Sequence, residues 1–172
     1  MKKNYIVVDV ESDGPIIGLN SMVCFGAVIL EPGLNRTFYG RTAPISKVYD
    51  PESLAISGFS REQHEEFPQA INDMNNFYEW IKGNIKGKPI LISDNPGYDA
   101  SWMNWYFHTC CGSNPFGWTS RRIGDLFCGF YKDMHYSWKK HRVTNHDHNP
   151  VNDAKSNAEA LLYLHNQGLK LF

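Results

Sequence analysis

Four carboxylates and a histidine each sit where one element of the chain gives way to the next. Asp9 and Glu11 close the apolar run Ile6-Val7-Val8-Asp9-Val10-Glu11, and Ser12-Asp13-Gly14-Pro15 then turns the chain. A short run of β-branched residues reads as a buried strand. Alternation along a strand puts Asp9 and Glu11 on one face. Two like charges at the end of an apolar strand repel each other and lose hydration. A divalent cation removes that penalty, and oxygen donors suit magnesium or manganese. Asp99 ends the stretch Asp94-Asn95-Pro96-Gly97-Tyr98-Asp99, where an apolar strand passes into a helix. Asp153 lies in His148-Asn149-Pro150-Val151-Asn152-Asp153-Ala154, opening the last helix behind Asn152 as a cap. Singly, these motifs also read as a polar strand end or an acidic first helical turn. Together they are what two-metal phosphoryl transfer requires, carboxylates holding two cations roughly 3.5–4 Å apart. His148 adds an imidazole able to take a proton from water near neutral pH.

The elements that must position these groups follow from periodicity and turn chemistry. Ser21 to Leu30 reads as a second strand, with Gly26 in its middle, and Arg36 to Thr42 as a third, joined by the Glu31–Asn35 turn. Asp50 caps a short helix that starts at Pro51 and stops at Ser57-Gly58. Pro68 to about Ile85 carries Ala70, Met74, Phe77, Ile81 and Ile85 at helical spacing. Ile90 to Ser93 reads as a strand covered on both faces. Tyr98 to His108 is an aromatic-rich helix, Arg121 to Ile123 a short edge strand, and Asp125 to Tyr131 a helix. Residues 132–150 read as a polar loop and Asn152 to His165 as the final helix. Strands first, then alternating helices and strands, predict an α/β sheet that is antiparallel in its first part and parallel in its second.

A chain of 172 residues suits a single domain over residues 1–172. A net charge of −1 announces no nucleic-acid partner, so any basic surface must be local. Arg121-Arg122 and Lys139-Lys140-His141-Arg142 are such runs, readable as a solvated surface or as a phosphate-tracking patch. The apolar stretch after Lys2 and Lys3 is too short for a secretory leader. No apolar run approaches the roughly 20 residues that span a bilayer. With Cys24, Cys110, Cys111 and Cys128 in no Cys-x-x-Cys pair, a reducing, cytoplasmic setting without membrane contact is expected.

In order and spacing the three motifs resemble those of the DEDD superfamily of 3′–5′ exonucleases, in the subgroup whose third motif is His-x4-Asp. Asp9-Val10-Glu11-Ser12-Asp13-Gly14 stands for Asp-x-Glu-Thr-x-Gly, and Asp94 to Asp99 for His-Asn-x-x-Phe-Asp. His148 to Asp153-Ala154 stands for His-x4-Asp-Ala. Among relatives the chain looks nearest to small single-domain exoribonucleases related to ribonuclease T. The resemblance implies a ribonuclease H-like fold, a five-stranded mixed sheet in the order 3-2-1-4-5 flanked by helices. It implies two divalent ions, Mg2+ or Mn2+. Asp9 would bridge both, Glu11 and Asp153 would complete one site, Asp99 would serve the other, and His148 would be the general base. The expected activity is 3′–5′ hydrolysis of single-stranded RNA to nucleoside 5′-monophosphates, with a homodimer among the expected forms. The alternatives are a DNA exonuclease with the same site and a non-catalytic nucleic-acid-binding module of this fold. Asp94 departs from the pattern by adding negative charge, and Ser12 replaces Thr.

Ser12, Gly58, Phe59 and Asn95 are the candidate substrate contacts. Gly58 would allow close backbone approach, and Phe59 could stack on a base. Trp138, between basic residues, is a second stacking candidate, although it, Phe59, Trp102 and Tyr106 also suit a core. His141, His146 and His148 with Asp147 could form a zinc cluster or could be solvated loop residues.

Overall fold

The structure, a computed structural model, describes residues 4–171, so the expectation drawn from Lys2 and Lys3 lies outside the described residues. Five strands, β1 (Tyr5–Ser12), β2 (Met22–Ile29), β3 (Thr37–Arg41), β4 (Ile90–Ser93) and β5 (Ser120–Arg122), form one sheet in the order β3-β2-β1-β4-β5. The pairs β1–β2 and β2–β3 are antiparallel, and β1–β4 and β4–β5 are parallel. Short turns followed by helical crossovers predict the antiparallel-then-parallel pattern, and the strand order is the ribonuclease H-like one that the resemblance implies.

Among the described residues six α-helices flank the sheet: α1 (Pro51–Ile56), α2 (Arg61–Glu65), α3 (Ala70–Asn84), α4 (Asp99–Cys111), α5 (Ile123–Tyr131) and α6 (Pro150–Asn166). On one face of the sheet, Ile6, Val8 and Val10 of β1 pack with Met74 and Phe77 of α3 and Trp102 of α4. On the other, Tyr5 and Val7 pack with Phe127 of α5 and Ala154, Ala158 and Leu161 of α6. Asp9 and Glu11 continue the Tyr5–Val7 row and therefore face α6. Every residue of β2 is buried, because helices cover it from both sides.

Several boundaries differ from the sequence expectation. Asn149, not Asn152, caps α6, accepting from the Val151 and Asn152 amides with Pro150 in the first position. The Asn152 side chain instead donates to Asp147. Helix α2 was not anticipated, although its capping box, Ser60 with Gln63, is a local signal. Ile123 opens α5 rather than closing β5, because its side chain is buried. A 3₁₀ turn at Lys139–His141 interrupts the expected loop.

One close approach sets the position of α6. Gly26 of β2 pairs with Asp9, and a Cβ at Gly26 would lie 2.2 Å from the Pro150 carbonyl and 2.4 Å from the Val151 nitrogen. The bare backbone lets the first turn of α6 rest on the sheet, which carries Asp153 to the end of β1. Gly26→Ala must push α6 outward, since both clashing groups are backbone. The expected outcome in urea denaturation is a loss of about 1–3 kcal/mol, the usual cost of overpacking.

Candidate active site

Three elements bring the four carboxylates together. Oxygens of Asp9, Glu11 and Asp153 lie within 4.8 Å of one another. Asp99 opens α4, where its Oδ1 accepts the Val10 amide at 3.1 Å, locking the helix start to β1. The Asp147 amide donates to Asp153 Oδ1 at 3.2 Å. The fully buried Asp153 Oδ2 accepts no hydrogen bond. His146 Nδ1 stands 2.8 Å from that oxygen, a contact without hydrogen-bond geometry.

Burial, then the charges of Asp99, Asp153 and Glu11, holds the Asp9 carboxyl well above its ordinary range, and Arg142 opposes them. Burial also raises Glu11, against the pull of His148. Asp99 is pushed up to about 7 by burial, with hydrogen bonds from Ser93, Val10 and Asn95 working against the shift. The donors are hard oxygens, crowded, and in one case buried without a hydrogen bond. Such a set fits divalent cations of the magnesium type.

His148 has φ of 60°, a left-handed conformation rare for a residue with a side chain. Its ring is half-exposed, and Nδ1 is 3.5 Å from Glu11 Oε1. The four-membered histidine–Asp147 cluster does not assemble. His141 stacks on Tyr163 at 3.8 Å and meets the Tyr136 hydroxyl, while Asp147 accepts from Asn149 and Asn152. His146 alone joins His148, with ring centroids 5.1 Å apart.

The added acid, Asp94, is matched by cations. Lys139 Nζ lies 2.8 Å and Arg142 Nη2 3.4 Å from Asp94 Oδ2. Arg142 also donates to Asn157 and lies over the Trp138 ring. Trp138 is 6% exposed and belongs to the core, so it offers no stacking face. The basic run thus braces the chain's own site, which weakens its reading as a phosphate track.

The other candidate contacts divide. Ser12 is buried, and its hydroxyl pairs with the Gly14 carbonyl and the Tyr98 hydroxyl, so its side chain is not free for substrate. Asn95 is exposed, and its carbonyl accepts the Tyr98 and Asp99 amides at the start of α4. Gly58 has φ of 78° with open space where a Cβ would point. Phe59 is half-buried, edge-on to Phe67 at 4.9 Å, and lines a cavity of about 310 Å³ with Arg41 and Gln63. Sequence reasoning missed the buried Asp13, which accepts from Arg61 and the Ser21 amide and lies 3.7 Å from buried His64. That network ties the turn after β1 to α2.

The raised carboxylates make stability depend on pH. Carboxylates in the unfolded chain titrate near pH 4, whereas Asp99 in the fold titrates at about 7. Between those values the native state holds more protons, so metal-free stability falls as pH rises. Added magnesium should therefore raise the melting temperature more at about pH 8 than at about pH 5. Asp99→Asn should shrink that difference, as measured by melts in chelator and in magnesium.

No protein-family model matches the chain. A 3′–5′ DNA exonuclease of Escherichia coli, Cap18, is 33% identical, with 92% of this chain and 89% of the relative covered. The nuclease domain of 3′hExo, a DEDDh family member solved bound to rAMP, superposes with a TM-score of 0.81 at 16% identity. That superposition covers 99% of this chain and 96% of the domain. E. coli Exonuclease I in complex with a 5cy-dT13 oligonucleotide superposes at 0.75 with 13% identity, over 99% of this chain and 42% of that one. The chain belongs to the DEDDh family of 3′–5′ exonucleases, enzymes that use divalent metal ions.

Proposed function

We propose that this exonuclease trims single-stranded DNA from the 3′ end by a two-metal mechanism, as one catalytic domain over residues 1–172. The observation that carries the mechanism is the convergence of Asp9, Glu11 and Asp153 oxygens within 4.8 Å of one another, with the buried Asp153 Oδ2 accepting no hydrogen bond. Asp9 would bridge two cations, Glu11 and Asp153 would complete one position, and Asp99 would hold the other. Bound cations supply positive charge to the attacking and leaving oxygens of the phosphodiester. His148 would take the proton of the attacking water. Glu11, 3.5 Å from its Nδ1, would orient the ring. Gly58 and Phe59 would meet the terminal nucleotide, the first by backbone and the second by ring.

DNA is the preferred reading because the E. coli relative at 33% identity is a DNA exonuclease. RNA, the expectation from the motif resemblance, is the second reading, favoured by the rAMP held in the 3′hExo domain. Only a contact to the 2′-hydroxyl separates the two polymers, and the Ser12 hydroxyl is already committed within the protein.

On end-labelled oligomers, Asp9→Asn and Asp153→Asn should each abolish magnesium-supported trimming while leaving a folded protein by circular dichroism. Undiminished trimming by either would overturn the two-metal reading. His148→Ala should slow turnover by roughly 10²–10⁴-fold without loss of metal binding. Initial rates on matched single strands under one salt and metal should favour DNA, and faster RNA turnover would reverse the assignment.

A further inference from the structure

We propose that His146, His148 and Asp153 form a zinc-type transition-metal site whose occupation inhibits the exonuclease. Ligand atoms of the three residues lie within 4.8 Å of one another. His146 Nδ1 already stands 2.8 Å from Asp153 Oδ2. That oxygen is buried and accepts no hydrogen bond, so the residue at the base of the cluster has an open coordination position. The two imidazoles are about half-exposed, at 45% and 50%, so an ion reaches them from solvent.

The donor set differs from the carboxylate group beside it. Asp9, Glu11, Asp99 and Asp153 offer only oxygen, which suits magnesium. Two imidazoles and one carboxylate suit zinc, with water as a fourth ligand in a tetrahedral arrangement. The loop that carries the histidines is pinned at both ends. Val143 and Thr144 donate to Glu159, and Asp147 accepts from Asn149 and Asn152. The left-handed backbone at His148 brings its ring back toward His146.

Both donor sets use Asp153, and the zinc-type set also uses His148. A zinc ion held there would withdraw a carboxylate from the magnesium positions and the imidazole from proton transfer. The inhibition rests on the exonuclease reading, whereas the binding does not.

The test uses the whole chain in excess magnesium. Cobalt(II), a coloured stand-in, should bind once per chain with the visible bands of a four-coordinate ion, and zinc should displace it. Zinc should also inhibit magnesium-supported trimming. His146→Ala removes an exposed ring and should keep that trimming. It should weaken cobalt and zinc binding, and raise the zinc concentration for half-inhibition, by at least about tenfold. His135→Ala, at another exposed histidine, should match the wild type. Failure of cobalt to bind, or equal binding by His146→Ala, would overturn the site. Unchanged zinc inhibition in that variant would overturn the inhibitory role, since zinc would then be entering the carboxylate positions. The cobalt spectrum needs no turnover, so it reports on the site even if trimming fails on every substrate offered.

Discussion

Mutual repulsion among four carboxylates at one end of the sheet is the constraint around which this fold is arranged. Carboxylates taken out of water shift toward their neutral form, and crowding adds to that shift. Asp9 shows both effects, with burial first and Asp99 the leading charge. The sheet and two helix starts hold the groups in place regardless. Asp9 and Glu11 are fixed by a strand paired on both sides. Asp99 is tied to the same strand through the Val10 amide. Asp153 is delivered by a helix resting on the bare backbone of Gly26. Apolar packing on both faces supplies the stability that holds this repulsion, and divalent cations relieve it.

Ion pairs on either flank of the carboxylates offset the neighbouring acids. Asp94 would worsen the repulsion if it stood alone, but Lys139 and Arg142 meet it. Arg142 reaches further, since its charge also opposes the upward shift at Asp9. Its guanidinium is fixed by Asn157 and by the Trp138 ring, so the cation is held rather than mobile. Departing from the family's histidine at position 94 is therefore accompanied by a basic segment folded back onto the same site. On the opposite flank, Arg61 and Asp13 anchor the turn that follows Glu11. The carboxylate-bearing end of β1 is thus braced from both sides by ion pairs.

Much of this was legible in the residues because it is encoded locally. Period-two alternation put Asp9 and Glu11 on one face, and the structure places both toward α6. Asp50-Pro51 and Ser57-Gly58 marked both ends of α1. Short turns followed by crossovers marked a sheet antiparallel in its first part and parallel in its second, the family resemblance implied its order, and the motif spacing singled out Asp9, Glu11, Asp99, Asp153 and His148 as candidates. Only the tertiary structure decided which of several histidines stands beside Asp153, that Trp138 is core, and that Lys139 and Arg142 answer Asp94. It also decided why Gly26 must be glycine, since Pro150 lies more than a hundred positions away. Periodicity and capping act between neighbours and leave a mark in the sequence. Charge pairing and close backbone approach join residues far apart in the chain, and a single sequence carries no record of which distant partners will meet.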